Sequence, residues 1–263
     1  MIELELQGEY VMDFFCRRND GLGFREVKNN AVTSDLFIPA DLKEFLKESS
    51  RVSWNNLLKR SEYNGNEQKL IRDIMDDIRR KIETSANVAI FLNSTTKNKP
   101  YSFGGETLKL LYVSGTELRG DEDFEKNIFS AVEEMTYSFH HEGKRIFAFR
   151  PDLSFFINGI FLGYAELKSN FTNQTAKNNG RNKVITDYLE AVWEYTKIAN
   201  GNDVQQSLRR TMLRPFEKSI HLVTTDINNT YILRNPGQFF DDAKKGFQEN
   251  MISISSFRPV VEK

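Results

Sequence analysis

The chain has 263 residues, of which 39% are hydrophobic and 28% charged, and its formal net charge is −1. This size allows one large domain or two small ones with a substantial core, while three histidines and one cysteine argue against a zinc site and fit a reducing compartment, by default the cytoplasm. We expect no membrane association, because an apolar run of about 18 residues is lacking, and no signal peptide, because the first five residues already include two glutamates. The balanced overall charge gives no basic footprint of the kind that nucleic-acid-binding proteins usually show, so any such surface would have to be local.

The N-terminal part of the sequence predicts mostly helices. Residues 6–19 have the pattern of an amphipathic helix, and residues 40–46 have helical spacing with Asp41 in position to cap them. The strongest pattern covers residues 66–83, where apolar side chains recur at three- and four-residue steps. Residues 88–92 predict either a strand or an extension of that helix.

The remainder of the chain predicts an alternation of strands and helices, which is typical of an α/β or α+β fold. Its predicted elements, apart from the central hairpin, are a strand at 108–113, a helix or strand at 124–137, a polar loop at 169–182, a helix at 184–199, and two strands at 219–225 and 230–234.

The most informative segment is an apolar hairpin with charged ends. It reads RPDLSFFINGIFLGYAELK over residues 150–168, with an Asn-Gly turn at its centre. Asp152 begins the first strand, and Glu166 and Lys168 end the second. Carboxylates on such apolar strands are costly unless they are paired, and a divalent cation would offset that cost. The triplet Glu-Leu-Lys alone is more often an exposed strand end, so the prediction depends on the combination.

Strand parity decides whether the two carboxylates share a site. Side chains alternate between the faces of a strand, so Glu166 and Lys168 lie on one face. A strict two-residue turn would pair Ile157 with Ile160 and place Asp152 on the other face. A three-residue loop, or an equivalent bulge, would bring Asp152 to the face of Glu166. We therefore predict the three-residue loop or such a bulge.

These residues resemble the PD-(D/E)xK nuclease signature, with Pro151-Asp152 followed by Glu166 and Lys168. The surrounding residues, roughly 145 to 170, look more specifically like the N-terminal nuclease domain of the restriction (R) subunit of type I restriction enzymes. The resemblance implies a restriction-endonuclease-like fold, in which a mixed sheet is flanked by helices. It also implies that Asp152 and Glu166 bind Mg²⁺, which Mn²⁺ can replace, and that Lys168 is the catalytic lysine.

The resemblance extends to further metal ligands. It implies the main-chain carbonyl of Leu167 as an extra ligand and a glutamate on an early helix as another. Glu9 is the candidate for that glutamate, although a solvated residue in the first helical turn is an equal interpretation. Glu133 and Glu134 are its rivals.

One feature of related nucleases is missing. They often carry Gln-x-x-x-Tyr on the helix after the lysine, whereas Val184 stands four residues before Tyr188. A DNA-orienting role for Tyr188 is therefore open. The basic residues Lys177, Arg181 and Lys183 follow the hairpin closely and are the candidates for phosphate contacts.

The resemblance predicts one nuclease domain over residues 1–263. Its core would run from about 100 to 235, with a mostly helical elaboration at 25–100 and a tail at 236–263. No Walker A motif occurs, so we expect ATP to be bound only by the full-length subunit, of which this chain would be a fragment. Double-stranded DNA and the modification and specificity subunits are the implied partners.

Two functional hypotheses follow. The first is a Mg²⁺-dependent DNA endonuclease without sequence specificity of its own, because nothing in the sequence predicts a base-reading element. The second is a non-catalytic module with the same fold that binds DNA, docks a subunit or guides DNA to a motor.

Overall fold

The computed structural model describes residues 10–17, 20–97, 100–113, 123–141, 143–168, 175–180, 183, 216–226, 229–234, 236 and 257–259. Within them, a central mixed sheet is covered by helices and by a separate β-hairpin. The seven strands of the sheet follow the spatial order β1-β4-β7-β8-β9-β10-β11. They are β1 (Arg25–Glu26), β4 (Phe129–Glu133), β7 (Leu153–Ile157), β8 (Ile160–Leu167), β9 (His221–Thr225), β10 (Thr230–Arg234) and β11 (Phe257–Pro259).

The sheet is antiparallel except at two places. β1 runs parallel to β4, and β9 runs parallel to β8. A parallel neighbour needs a long connection, and residues 168–220 separate β8 from β9. This arrangement confirms the α/β, restriction-endonuclease-like fold. The sheet also extends beyond the predicted core of 100–235, because β1 and β11 form its edges.

Four helices form the N-terminal layer, which confirms the predicted helical elaboration. They are α2 (Pro39–Ser49), α3 (Arg51–Leu58), α4 (Glu67–Thr84) and α5 (Val88–Lys97). α4 has the predicted apolar stripe, and the side chain of Asn66 caps it by accepting a hydrogen bond from the Lys69 N–H at 3.0 Å. Residues 88–92 belong to the separate helix α5, so they form neither the predicted strand nor an extension of α4.

Asp41 does not cap α2, contrary to the prediction. It is buried in the first turn, where Arg25 donates to it at 2.7 Å and the Ser130 hydroxyl donates at 2.6 Å. A buried carboxylate requires such partners. These two bonds therefore attach the helical layer to strands β1 and β4.

Two other predicted elements differ in the structure. The expected strand at 108–113 is replaced by a small hairpin of β2 (Tyr101–Phe103) and β3 (Glu106–Leu108). The ambiguous segment at 124–137 contains strand β4. The predicted helix at 184–199 lies outside the described residues. Among the residues that are described, no helix is both long and apolar enough to cross a lipid bilayer.

The Asn158-Gly159 turn that joins β7 to β8 is buried against the helical layer. Both residues have positive φ, 49° and 77°, as a two-residue turn of this kind requires. The Ile38 N–H donates to the Gly159 carbonyl at 2.9 Å, and a Cβ on Gly159 would collide with the Ile38 carbonyl oxygen. Glycine is therefore needed both for its conformation and for the close approach.

The two faces of the sheet are covered by different elements. Helix α1, described over residues 10–16, places Met12 against Ala131, Leu153 and Ala165. It ends at residue 16, short of the predicted end at 19. The other face carries an aromatic cluster, which includes a hairpin formed by β5 (Tyr137–His141) and β6 (Lys144–Phe149). The aromatic cluster consists of Tyr137, Phe149, Phe156, Phe161, Tyr164 and Phe216.

Candidate active site

A β-bulge in the second strand of the hairpin sets the relative position of the two carboxylates. The turn has two residues, with Ile157 paired to Ile160, so the predicted three-residue loop is wrong. The predicted alternative, a bulge, is present: Phe156 pairs with Phe161 and Phe155 with Gly163, which leaves Leu162 as an extra residue. Beyond the bulge Leu153 pairs with Ala165, and this register continues to place Asp152 across from Glu166.

The Asp152 carboxylate is fixed by the backbone of the opposite strand. Its Oδ2 accepts a hydrogen bond of 2.6 Å from the Leu167 N–H, and the Asp152 carbonyl accepts one of 2.8 Å from the Glu134 N–H. Asp152 therefore bridges the ends of three adjacent strands, β4, β7 and β8.

Glu166 is the most buried charged group of the hairpin, with 1% of its surface exposed. Two ammonium groups donate to the same oxygen, Oε1: Lys168 Nζ and Lys183 Nζ, each at 2.6 Å. The second oxygen, Oε2, is buried and has no hydrogen-bond partner among the residues that the structure describes. A buried carboxylate oxygen without a partner is costly, so Oε2 is an available position for a cation.

Burial raises the pKa of the Glu166 carboxyl above its ordinary value, and the charge of Asp152 raises it further. The charges of Lys183 and Lys168 act in the opposite direction.

Lys183 reaches Glu166 from the segment after the hairpin. The segment passes through a π-helical turn, Ala176–Gly180, whose Gly180 packs so closely on Thr224 of β9 that a Cβ would overlap the threonine hydroxyl. The Lys183 ammonium also donates to the Arg150 carbonyl at 3.0 Å and lies 5.8 Å from the centre of the Phe149 ring. These contacts join Lys183 to the start of the hairpin.

The donor set fits a hard divalent cation. Mg²⁺ prefers oxygen ligands, keeps several waters and needs only one or two protein carboxylates. Asp152 and Glu166 supply that number, and Glu166 Oε2 has no other partner. Among the described residues, no group of three or more His, Cys, Asp or Glu side chains is placed to hold a metal ion.

The other predicted ligands do not converge on this point in the same way. Glu133 pairs with Leu153, so parity places it on the sheet face opposite Glu166. The Glu134 carboxylate contacts the exposed Arg150 guanidinium at 3.2 Å. Glu9 lies outside the described residues, and the Leu167 carbonyl stays a predicted ligand.

The predicted DNA-contacting residues have different outcomes. Arg181 and Tyr188 lie outside the described residues, and Lys177 is described only as part of the π-helical turn. Lys183 was predicted as a phosphate contact because it belongs to a basic cluster. Its contact with Glu166 was not predicted. No spacing rule connects it to the hairpin, because the contact joins two residues that are 17 positions apart in sequence.

The comparison with protein families gave one match. The family model described as type I restriction enzyme R protein N terminus matches residues 26–206, which include the hairpin and Lys183. No curated protein matched the chain.

Proposed function

Because the chain belongs to the family of type I restriction enzyme R protein N termini, we propose that it is a Mg²⁺-dependent DNA endonuclease domain without sequence specificity of its own. The region it represents is the N-terminal region of an R subunit. We also propose that this chain is itself catalytic and that Asp152, Glu166 and Lys168 are the residues responsible.

One observation carries the proposal. Glu166 is buried, stands across the hairpin from Asp152, and has one oxygen without a partner. Stability alone does not explain this arrangement, because the two lysines balance the charge of the carboxylates but leave Glu166 Oε2 buried with no hydrogen-bond partner among the described residues. A cation held between the carboxylates would offset that cost.

The roles of the side chains follow from their surroundings. The Leu167 N–H fixes one oxygen of Asp152 and leaves the other for a cation, and the lysines occupy only Oε1 of Glu166. Mg²⁺ bound there would lower the pKa of a bound water and stabilise charge on the phosphate. Lys168, on the same strand face as Glu166, would orient the attacking water or stabilise the phosphate oxygens.

The proposed substrate is double-stranded DNA, and Mn²⁺ is expected to replace Mg²⁺. The modification and specificity subunits of a type I enzyme are the further partners that we propose. Lys177, Arg181 and Tyr188 remain proposed DNA contacts.

The test is DNA cleavage by Asp152→Asn, Glu166→Gln and Lys168→Met in Mg²⁺. We expect each variant to lose at least about 100-fold in rate, the scale on which positioned catalytic groups act. Glu134→Gln is the matched control, because its carboxylate lies at the same end of the hairpin but contacts only the exposed Arg150 among the pairs described. Circular dichroism must show that all four variants fold.

Two results would overturn the proposal. Equal cleavage by the parent and the three variants would remove the residues from catalysis. Folded parent protein that binds DNA in a salt-sensitive manner, indifferent to metal and without cleavage, would identify a binding module instead.

A further inference from the structure

Lys183 belongs to a basic cluster that was predicted to contact DNA, but its position is unusual for that role. Its ammonium is directed at a carboxylate of the proposed metal site, 2.6 Å from the oxygen that Lys168 already contacts. Lys168 belongs to the same strand as Glu166, whereas Lys183 reaches it from a separate segment. The second ammonium therefore needs an explanation of its own.

The charges at the site balance without a metal ion. Asp152 and Glu166 contribute two negative charges, and Lys168 and Lys183 contribute two positive ones. Adding a divalent cation would leave an excess of two positive charges in a largely buried space, where repulsion between cations is weakly screened. Metal binding should therefore favour the departure of one ammonium or the arrival of an anion.

Of the two lysines, Lys183 is the one placed to leave. Its side chain is 21% exposed, compared with 12% for Lys168. Its other contacts, with the Arg150 carbonyl and the face of Phe149, do not neutralise its charge. A phosphate at the mouth of the site would offer Lys183 a charged partner. Glu166 would then be available to bind a metal ion.

We propose that Lys183 couples metal binding at Glu166 to the binding of a DNA phosphate. The inference rests on the proposed function. Without DNA, Lys183 neutralises Glu166 and weakens the site for a divalent cation. With DNA, Lys183 turns to the phosphate and leaves Glu166 to the metal. Coupling between two binding events is reciprocal, so the metal must strengthen DNA binding by the same factor.

Manganese titration followed by electron paramagnetic resonance tests this coupling. We expect Lys183→Met to bind Mn²⁺ about tenfold more tightly than the parent in the absence of DNA, a typical size for coupling between sites. A short duplex should tighten Mn²⁺ binding to the parent by a similar factor, after subtraction of ions held by the duplex alone. The same duplex should have little effect on the affinity of Lys183→Met.

Two controls separate this role from a general loss of charge or of structure. Lys59→Met removes an exposed lysine from the end of α3 and should leave the Mn²⁺ affinity and its response to DNA unchanged. Lys183→Arg retains the charge and should restore the parental response to DNA.

The outcomes distinguish this inference from the proposed function. Equal or weaker Mn²⁺ binding by Lys183→Met than by the parent overturns the role of Lys183 and leaves the nuclease assignment standing. Unchanged Mn²⁺ affinity in Asp152→Asn, in both the parent and Lys183→Met backgrounds, removes the metal from this site and overturns both.

Discussion

Asp152 and Glu166 stand across from each other at one end of the β7–β8 hairpin, although the turn between their strands would by itself place them on opposite faces. The two-residue turn pairs Ile157 with Ile160, and the extra residue Leu162 then shifts the register by one. Because side chains alternate with period two, that single residue determines whether the carboxylates share a site.

The role of the bulge can be tested by deleting Leu162. The deletion should restore the unbulged register and separate Asp152 from the face of Glu166, so we expect Mn²⁺ binding to be lost. Leu162→Ala retains the bulge and loses only part of a side chain that packs on the helical core, so it should still bind Mn²⁺. Isothermal calorimetry on folded protein measures both. Unimpaired binding after the deletion would show that the register is not what brings the carboxylates together.

The closely packed turn makes a separate prediction about stability. Gly159 and Gly105 have the same φ, 77°, but a Cβ at Gly159 would collide with the Ile38 carbonyl, whereas at Gly105 it would meet nothing within 4 Å. We expect Gly105→Ala to lower the free energy of unfolding by about 1 kcal/mol, from the left-handed conformation alone. Gly159→Ala should cost about 3 kcal/mol or more, because overpacking is added.

Urea denaturation of both alanine variants gives the comparison. Equal losses of stability would mean that the contact between the turn and Ile38 contributes nothing beyond backbone conformation.

Glu166 should make stability depend on pH in a direction opposite to that of an exposed glutamate in an ion pair. Its pKa in the folded state is raised by burial and by Asp152 above the ordinary value of 4.5. The folded state therefore holds the proton more tightly than the unfolded chain, and this contribution to stability is complete below pH 4.5. It is lost as the pH rises through the raised pKa.

The measurement is the free energy of unfolding in urea against pH, with a chelator present. Relative to Glu166→Gln, the parent should lose stability from about pH 4.5 upward until the raised pKa is passed. A difference that instead grew with pH would mean that the lysines lower the pKa of Glu166 below the ordinary value.

The sequence predicted the parts of the molecule that depend on local patterns. The apolar stripe of α4, the Asn-Gly turn and the strand pair β9–β10 all have periodicity or turn residues that act within a few positions. The family resemblance was recognisable in the sequence because Asp152, Glu166 and Lys168 lie within one short segment.

The features that sequence did not predict depend on contacts between distant residues. Asp41 was predicted as a cap because its place near a helix start fits that role, but it is buried against Arg25 and Ser130. The position of the bulge depends on how β8 packs on both neighbours. The contact of Lys183 with Glu166 joins residues that are 17 positions apart, beyond the reach of a strand or helix pattern.

The central claim is that Asp152 and Glu166 together bind one divalent cation. The most direct measurement is anomalous X-ray scattering from crystals of the protein soaked in Mn²⁺. The account predicts a peak within ligand distance of both carboxylates, on the side of Glu166 Oε2, and its absence in Asp152→Asn crystals. Clear density for both carboxylates with no peak between them, in crystals that contain Mn²⁺ elsewhere, would contradict it.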